Sequence, residues 1–221
     1  MAQQDIRYYL NGMLLVLDDE QLRVVATDGH RLSYASAPIT KQDEKREVIL
    51  PRKAVLELAR LLTDAEGTVD VELYASQVRF RFGGIELTTK IIDGKFPDYN
   101  RVIPQNYQKR IEVNRVLLLQ ALQRAAILSN EKFRGVRWML TGNGLRISCT
   151  NNEQEEAQEE LEVDYAGEPL DVGFNITYLL DVLNNVGSER IQCAFGDASS
   201  SMLVALPDRG DYRYVVMPMR I

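Results

Sequence analysis

The stretch Leu22-Arg-Val-Val-Ala-Thr-Asp28 returns later in the chain as Leu145-Arg-Ile-Ser-Cys-Thr-Asn151. Gly12 returns as Gly135 at the same offset. Two further elements keep this offset to within one residue: the leucine-rich run 55–62 returns as 179–186, and the alternating pattern 69–73 returns as 191–195. Four elements that keep their order and spacing predict two copies of one structural unit.

The second copy contains an amphipathic helix that the first copy lacks. Residues 114–128 place Leu119 and Leu122 on an apolar face, with Gln123 and Arg124 on the opposite face. The offset places the counterpart of this helix before residue 6, so we expect Met1–Asp5 to be a helix remnant. We also expect the first unit to expose the apolar surface that its helix would cover.

Composition is typical of a globular protein. The 221 residues are 45% hydrophobic and 26% charged, which suits about two domains of roughly 100–150 residues each. The sequence shows neither a signal peptide nor an apolar run near the roughly 20 residues of a membrane span. Cys149 and Cys193 lie in alternating strand patterns, which favours reduced buried cysteines over a disulfide or metal site. Because the net charge is −6, any DNA contact requires a local basic patch.

Periodicity and turn signals predict an α+β fold of antiparallel hairpins with helices packed over them. Predicted helices are 52–62, 114–128 and 176–186, and predicted strands are 8–17, 21–26, 31–37, 69–74, 78–82, 85–92, 109–113, 159–165, 190–195, 201–206 and 212–217, with a hairpin around 141–144 and a polar loop over 39–47. Each complete unit therefore reads as a duplicated βαβββ pattern. The stretch 99–108 contains Pro104 and few apolar anchors, so we place the boundary there, giving domains 1–99 and 100–221.

The sequence does not indicate an enzyme. His30 lies near Asp28 and Ser33, which permits a hydrolase hypothesis, but neighbours in one turn rarely adopt triad geometry. The acidic run 152–160 favours a solvated face over a metal site, and it could also form half of an electrostatic subunit contact. A Gly-rich phosphate loop, a CxxC pair and an HExxH helix are all missing from the sequence, so we expect no catalytic residue, metal or cofactor.

Two places suggest binding sites of another kind. Tyrosines beside basic groups, Tyr8 and Tyr9 with Arg7 and the pair Arg52–Lys53, can contact a nucleic-acid backbone or stack on a base, although such tyrosines are also common core residues. The C-terminal run 214–221 stays apolar to its end, where chains usually become polar. This run is either a buried last strand or a methionine-rich docking surface for peptides.

Four motifs carry a family resemblance over essentially the whole chain. They are Ala26-Thr-Asp-Gly-His-Arg-Leu32, Gly94-Lys-Phe-Pro-Asp-Tyr99, Ser129-Asn-Glu-Lys-Phe-Arg-Gly135 and Val215-Val-Met-Pro-Met-Arg220. In residues and order they resemble the bacterial sliding clamps, the beta subunits of DNA polymerase III. The chain resembles the second and third of that family's three domains. This implies that residues 1–99 form a middle domain lacking its first strand and most of its first helix, and that residues 100–221 form the C-terminal domain.

The resemblance implies a non-enzymatic, cytoplasmic, nucleoid-associated bacterial protein. In such a protein a head-to-tail homo-oligomeric ring, with helices inside and sheets outside, encircles duplex DNA without reading its sequence. Matching DNA-contacting positions here are Gln4, Tyr8, Tyr9, Arg52 and Lys53. Arg60 and Arg124 lie on helices that would face the same hole. No membrane partner is implied.

The family also has a pocket between these two domains, in which the polymerase catalytic subunit, the clamp loader and repair proteins dock short linear motifs. The matching residues here are Arg7, Leu10, Thr27, Gly29, His30, Arg31, Leu32, Pro97, Arg101, Val102, Phe133, Asn175, Tyr178, Ser201, Val215, Val216, Met217, Pro218, Met219 and Arg220. Ser199 departs from the family pattern, which often has an apolar residue there.

Ring closure in the family pairs the third domain with the neighbour's first domain. The matching third-domain residues are Ile127, Leu128, Glu153, Glu155 and Glu156, and their usual counterpart is outside this sequence. We therefore expect that this chain does not close the ordinary two-subunit ring. It would be monomeric, or it would pair its shortened domain with another copy in a larger ring. An alternative function is a clamp fragment that binds partner peptides without holding DNA.

Overall fold

The computed structural model describes residues 1–207 and 209–221, and it contains the repeat seen in the sequence. The chain divides into two units, residues 1–99 and 100–221. The first unit begins with a 3-10 turn and continues as β1 (Gly12–Asp18), β2 (Gln21–Thr27), β3 (Arg31–Pro38), β4 (Arg46–Pro51), α1 (Arg52–Leu62), β5 (Asp70–Leu73), β6 (Gln77–Phe82) and β7 (Ile85–Lys90). Its strands pair antiparallel in the orders β4-β1-β2-β3 and β5-β6-β7.

The second unit contains the predicted βαβββ pattern twice. Its elements are β8 (Lys109–Asn114), α2 (Arg115–Ala126), β9 (Gly135–Thr141), β10 (Gly144–Thr150), β11 (Glu156–Glu162), β12 (Leu170–Asn175), α3 (Ile176–Asn185), β13 (Arg190–Phe195), β14 (Met202–Leu206) and β15 (Arg209–Val216). They form antiparallel sheets in the orders β11-β10-β9-β12 and β15-β14-β13-β8. The predicted α+β fold is confirmed. None of the described helices combines the length and the apolar character needed to span a membrane.

Asparagines fix where the helices of the second unit begin. The Asn114 side chain accepts hydrogen bonds from the backbone N–H groups of Val116 and Leu117, and the Asn175 side chain accepts one from Thr177 N–H. These bonds satisfy donors that lack a partner in the first turn of any helix. The repeat therefore also holds at the level of the cap, since each helix follows a strand that ends in asparagine.

The core of the second unit is densely filled. On β9 the side chains of Val136, Trp138 and Leu140 alternate inward and are at most 1% exposed. Trp138 packs edge-on against Phe174, with ring centroids 5.7 Å apart. Burial of each large apolar side chain of this kind contributes about 1.5–3 kcal/mol to folding.

The first unit has a shallower core. Every residue of α1 is described and none is buried, whereas α3, its counterpart in the repeat, buries Ile176, Leu179, Val182 and Leu183. An open groove of about 1100 Å³ lies between α1 and the strands, lined by side chains that include Val55, Leu58 and Phe80. In the second unit α2 packs against α3, β10 and β11 and buries Leu118 and Leu122. The first unit exposes apolar surface where the second unit has this helix.

Two predictions at the N-terminus are wrong. Met1–Asp5 is not helical, because Gln4 has a left-handed backbone angle (φ +57°) and Asp5 N–H donates to the side chain of Asn11 at 2.9 Å. Tyr8–Asn11 is a 3-10 turn and not the start of the first strand. The predicted strand therefore begins four residues later, at Gly12.

The sequence analysis did not predict two of the observed strands, β4 and β12. The loop predicted over 39–47 ends earlier, and residues 46–51 form β4, with Pro51 paired with Gly12 as the last residue of that strand. Proline costs little at this terminal position, where the ladder ends. β12 was missed although Leu170, Val172 and Phe174 alternate with polar or small residues at the period of a strand, and all three are buried. The remaining predicted boundaries differ from the observed ones by at most three residues, with the largest differences in β11 and β15.

Both cysteines are free and buried, as the strand patterns predicted. Burial raises the pKa of the Cys149 thiol to about 11 and that of the Cys193 thiol to about 12. Both groups therefore stay protonated and poorly nucleophilic at neutral pH.

Candidate functional site

The predicted DNA-contacting residues of the first unit gather at one end of a strand pair. Gly12 begins β1 and lies opposite Pro51, which ends β4, so the turn before Gly12 and the helix after Pro51 leave the sheet at the same edge. Tyr8 in that turn is 57% exposed, and Lys53 in the first turn of α1 is also exposed. The register thereby brings aromatic and basic side chains from distant parts of the sequence to one edge.

The two tyrosines are held in a defined arrangement. Tyr8 and Tyr9 meet edge to face, with ring centroids 5.8 Å apart and an angle of 69°. The Tyr8 ring lies against Gly94, where an added Cβ would come within 3.2 Å of it. Tyr9 is half-buried and Gln4 is exposed. Tyr8 is thus the ring most available for contact with a ligand.

The basic residues of the helices differ in how their charges are compensated. In the described part of the chain, neither Arg52 nor Lys53 has an ion pair within 4.0 Å. Arg60 instead pairs with Glu57 at 2.6 Å, and Arg124 forms two hydrogen bonds with Glu159, at 2.7 and 2.6 Å. Of the four basic residues considered for DNA contact, Arg52 and Lys53 therefore offer the least compensated positive charge.

Arg7 is also compensated. Its guanidinium donates to both carboxylate oxygens of Asp5, at 3.0 and 2.8 Å. This donation lowers the pKa of Asp5 to about 2, so the pair remains ionised at neutral pH. The Arg7 guanidinium lies over Gly29, which has φ +90° and where an added Cβ would come within 3.1 Å of a guanidinium nitrogen. Glycine at position 29 therefore serves both the turn and the close approach.

The motif that contains His30 forms a tight turn around Asp28. One oxygen of Asp28 accepts the backbone N–H groups of His30 and Arg31, at 3.0 and 3.1 Å, and the other accepts the Arg31 side chain at 3.0 Å. Thr27 closes the turn, with its hydroxyl donating to the Arg31 carbonyl at 2.8 Å. Burial by itself would raise the pKa of Asp28, but these hydrogen bonds hold it below its usual value. Asp28 organises the turn, which argues against its use in a catalytic triad.

The remaining pocket residues of the first unit are of two kinds. Leu10 and Leu32 are 2% exposed and belong to the buried apolar residues, whereas His30 and Pro97 are exposed. The turn thus presents the His30 backbone and side chain at the surface, beside buried leucines.

In the second unit the C-terminal run divides into two parts. Val215 and Val216 are fully buried at the end of β15, whereas Met217 is 44% exposed. We call residues 217–221 the C-terminal arm. It lies against β12, and Met219 N–H donates to the Gly173 carbonyl at 2.8 Å. The buried strand ends at Val216, and a segment with an exposed Met217 and a half-buried Met219 follows, while a docking role for this segment stays a prediction.

The arm forms one wall of a cavity of about 630 Å³ within the second unit. The lining also includes Phe133, 58% exposed, and Arg137, which pairs with Asp171. Asn175 lies in the same region as the cap of α3. The other predicted pocket residues of this unit have mixed exposure: Arg101, Val102 and Arg220 are exposed, and Tyr178, Ser201 and Pro218 are half-buried.

Ser199, the departure from the family pattern, takes part in a serine-rich turn. Asp197 accepts hydrogen bonds from the Ser199 hydroxyl at 2.7 Å and the Ser200 hydroxyl at 2.8 Å, which lowers the pKa of Asp197 to about 2. A polar residue at 199 is thus used to fix the loop between β13 and β14.

The predicted subunit-interface residues are brought together by two neighbouring loops. Ile127, just after α2, is 79% exposed, and the exposed Glu153 and Glu155 lie in a turn organised by the Asn151 side chain. A hydrogen bond between the Asn130 and Asn152 side chains joins the two loops. Leu128 is half-buried beside Ile127, and Glu156 begins β11. The result is a small apolar spot with an acidic border.

Sequence reasoning missed the residues on which the C-terminal arm rests. Gly173 on β12 and Gly135 on β9 lie beneath the arm, and an added Cβ at either position would meet arm atoms at 2.5–2.6 Å. Glycine inside a strand is the signal that could have identified them, because it often marks the close approach of another chain segment.

Comparison with known proteins assigns both units to one family. Residues 1–98 match the central domain of the DNA polymerase III beta subunit, and residues 100–220 match its C-terminal domain. The chain is 51% identical to the beta sliding clamp of Pseudomonas putida and 48% identical to that of Escherichia coli, covering 100% of this chain and 60% of each relative. A crystal structure of the Pseudomonas aeruginosa sliding clamp superposes with a TM-score of 0.97 at 50% identity, over 100% of this chain and 61% of that one.

These matches agree with the fold, with its internal repeat and with the four sequence motifs. The chain spans about three fifths of the length of the relatives it matches. It belongs to the family of bacterial DNA polymerase III beta subunits, the beta sliding clamps.

Proposed function

We propose that these 221 residues form the DNA-contacting and partner-docking part of a sliding clamp. In the assembled clamp, a ring around duplex DNA holds the polymerase on its template and has no catalytic activity of its own. The observation that carries the proposal is the match of both units, over the whole chain, to proteins named beta sliding clamp. Such a protein works in the bacterial cytoplasm, in association with the nucleoid.

DNA contact in this proposal is electrostatic and independent of sequence. The exposed Lys53 and the neighbouring Arg52 lie at the start of α1, where the partial positive charge of the helix terminus also attracts phosphate. Tyr8 and Gln4 at the same edge of the sheet add hydrogen-bonding groups to the backbone contact. A local basic edge of this kind supports DNA binding in spite of the overall charge of −6.

Partner docking in this proposal uses the surfaces built around the Asp28 turn and the C-terminal arm. The Asp28 turn holds backbone groups and His30 in a fixed arrangement at the surface. The arm supplies Met217 and Met219, whose flexible side chains can adapt to different apolar partners. Polymerase catalytic subunit, clamp loader and repair proteins would dock here through short linear motifs.

The direct test is binding of a peptide from the C-terminus of a DNA polymerase catalytic subunit, measured by calorimetry. We expect saturable binding to the 221-residue chain, and loss of binding on Met219→Ala with the far-UV circular dichroism unchanged. Met139→Ala, a methionine on the sheet outside the proposed docking surface, is the matched control. Unchanged affinity of the Met219 variant, or equal loss in both variants, would contradict the placement of the docking surface.

A second candidate function is peptide docking without encirclement by this chain alone. The open groove beside α1, which leaves apolar side chains uncovered, supports it for the isolated polypeptide. Retention on nicked circular plasmid separates the two functions. Encirclement predicts that the chain stays on the circle and is lost when the plasmid is linearised. Docking alone predicts equal and weak retention on both forms.

A further inference from the structure

Two glycines with ordinary backbone angles lie in adjacent strands beneath the C-terminal arm. Gly135 pairs with Asn175, and Gly173 lies two residues before Asn175, so the two glycines share one face of the sheet. The opposite face carries the buried side chains of Val136 and Phe174. Neither glycine has a positive φ, so their backbone conformation does not require glycine.

The space above each glycine is filled by the arm. At Gly173 an added Cβ would lie 2.5 Å from the Met219 carbonyl oxygen and 2.6 Å from a side-chain carbon of Ile221. At Gly135 an added Cβ would lie 2.6 Å from another side-chain carbon of Ile221. Contacts this short cannot exist, so a larger residue at Gly173 would displace the arm backbone, and a larger residue at Gly135 would displace the Ile221 side chain. A glycine inside a strand weakens the strand, and here the close approach of the arm accounts for its presence.

In the described part of the chain, the arm makes little hydrogen bonding to the sheet. Met219 N–H makes one backbone hydrogen bond to Gly173, and Ile221 remains 65% exposed. One hydrogen bond and a partly exposed side chain contribute little to global stability. The position of the arm therefore depends on how closely it can approach the sheet.

We propose that Gly135 and Gly173 form a seat that positions the C-terminal arm, and thereby Met219, for the docking of partner peptides. The inference rests on the peptide-docking function proposed above, and it adds two positioning residues that act through the arm. The seated arm is one wall of the cavity of about 630 Å³ that Phe133 borders on another side. A displaced arm would change the shape of that cavity and move Met219 together with it.

The test places a methyl group on the seat. Gly173→Ala should raise the hydrogen-exchange rate of the Met219 amide, shift the methyl resonances of Met217 and Met219, and weaken peptide binding by about tenfold. Gly187→Ala is the matched control, because Gly187 lies in a loop with ordinary φ and nothing within 4 Å of an added Cβ. This control should leave all three measurements unchanged.

Gly135→Ala tests the same seat if Gly173→Ala fails to fold. Gly135→Ala meets only side-chain atoms of the arm, 2.6 Å from an Ile221 carbon and 4.0 Å from the Met219 sulfur. Its effect on peptide affinity should be reversed by the additional change Ile221→Ala, which removes the clashing carbon. Such a rescue is not expected if Gly135 acts only through the stability of β9.

Failure of the proposed seat and failure of the proposed docking function give different results in these experiments. If Gly173→Ala leaves the Met219 amide protected and the peptide affinity within about twofold of the original, the seat does not position the arm. If the unaltered chain binds no peptide while Gly173→Ala still releases the arm, the seat stands and the docking function fails. Absence of rescue in the double variant, with both proteins folded, would also overturn the inference.

Discussion

Arg52 and Lys53 are proposed to contact DNA because, in the described part of the chain, no carboxylate pairs with either side chain. Each phosphate contact that a cation makes with duplex DNA releases counterions and contributes about 0.9 to the slope of log affinity against log salt. We expect Arg52→Ala with Lys53→Ala to weaken duplex binding and to reduce that slope by about 2. Fluorescence anisotropy of a labelled duplex over a range of salt concentrations measures both quantities.

Arg60→Ala is the matched control for this prediction, because Arg60 lies on the same helix but pairs with Glu57. Its removal also frees the Glu57 carboxylate, so a modest loss of affinity is expected with little change in the salt slope. An equal change of slope in the control and the double variant would show that pairing does not select the contacting residues.

Asp28 makes stability depend on pH through the turn that it organises. Its folded-state pKa lies below the usual 3.8, so its charge stabilises the fold above that value and the contribution is lost as the pH falls through the folded pKa. Asp28→Asn keeps an oxygen acceptor for the His30 and Arg31 amides but removes the charge. We expect the variant to be less stable by about 1 kcal/mol at pH 7, and the difference to shrink as the pH falls below 3.8 and through the folded-state pKa.

Urea denaturation of both proteins at a series of pH values measures this difference. Asp5 and Asp197 also titrate at low pH in both proteins, with pKa values of about 2, so their contributions cancel in the comparison. A difference in stability that stays constant from pH 7 to pH 2 would assign the effect to packing and not to the charge.

At the scale of elements, the repeat allows a comparison between α1 and α3. Leu58 on α1 lines the open groove and is only half-buried, whereas Leu179 on α3 is 2% exposed in a filled core. We expect Leu179→Ala to cost about 2–5 kcal/mol, as for other buried leucines, and Leu58→Ala to cost about 1 kcal/mol or less. Hydrogen exchange of the whole chain, followed at the amides of each unit, measures both losses of stability. Similar losses in the two units would mean that the groove is closed in solution.

The helices were predictable because each carries a complete apolar stripe and a clear start: Pro51 before α1, Asn114 before α2 and Asn175 before α3. Strand β12 was predictable by period, since Leu170, Val172 and Phe174 are buried on one face, and Asp171, which pairs with Arg137, and Gly173 lie on the other. The N-terminal turn was missed because a side-chain contact between Asp5 and Asn11 decides it. In that turn the Asn11 side chain, bonded to the Asp5 backbone, decides the backbone path, which residue periodicity alone does not reveal.

At the scale of the whole molecule, the duplicated unit could be recognised from residues alone, but the sites could not. Local reasoning left Tyr8 and the C-terminal run each with two interpretations, and the family resemblance favoured one. The structure adds what neither source contains: the compensation of Arg60 and Arg124, and the end of the buried strand at Val216. Deletions that test the arm should therefore begin at Met217, because removal of Val216 would open the core.

The interface patch around Ile127 leads to a prediction about assembly. Ile127 is 79% exposed beside an acidic turn. The apolar surface of one such side chain is small compared with the roughly 800 Å² that each partner buries in a stable interface. We expect the 221-residue chain to be a monomer of 25.1 kDa at micromolar concentration, and Ile127→Asp to leave that mass unchanged. Gel filtration with light scattering at several concentrations measures it. A mass at a multiple of 25.1 kDa that falls to the monomer on Ile127→Asp would instead show that copies of this chain join through the patch, and it would make encirclement of DNA by this chain alone the stronger proposal.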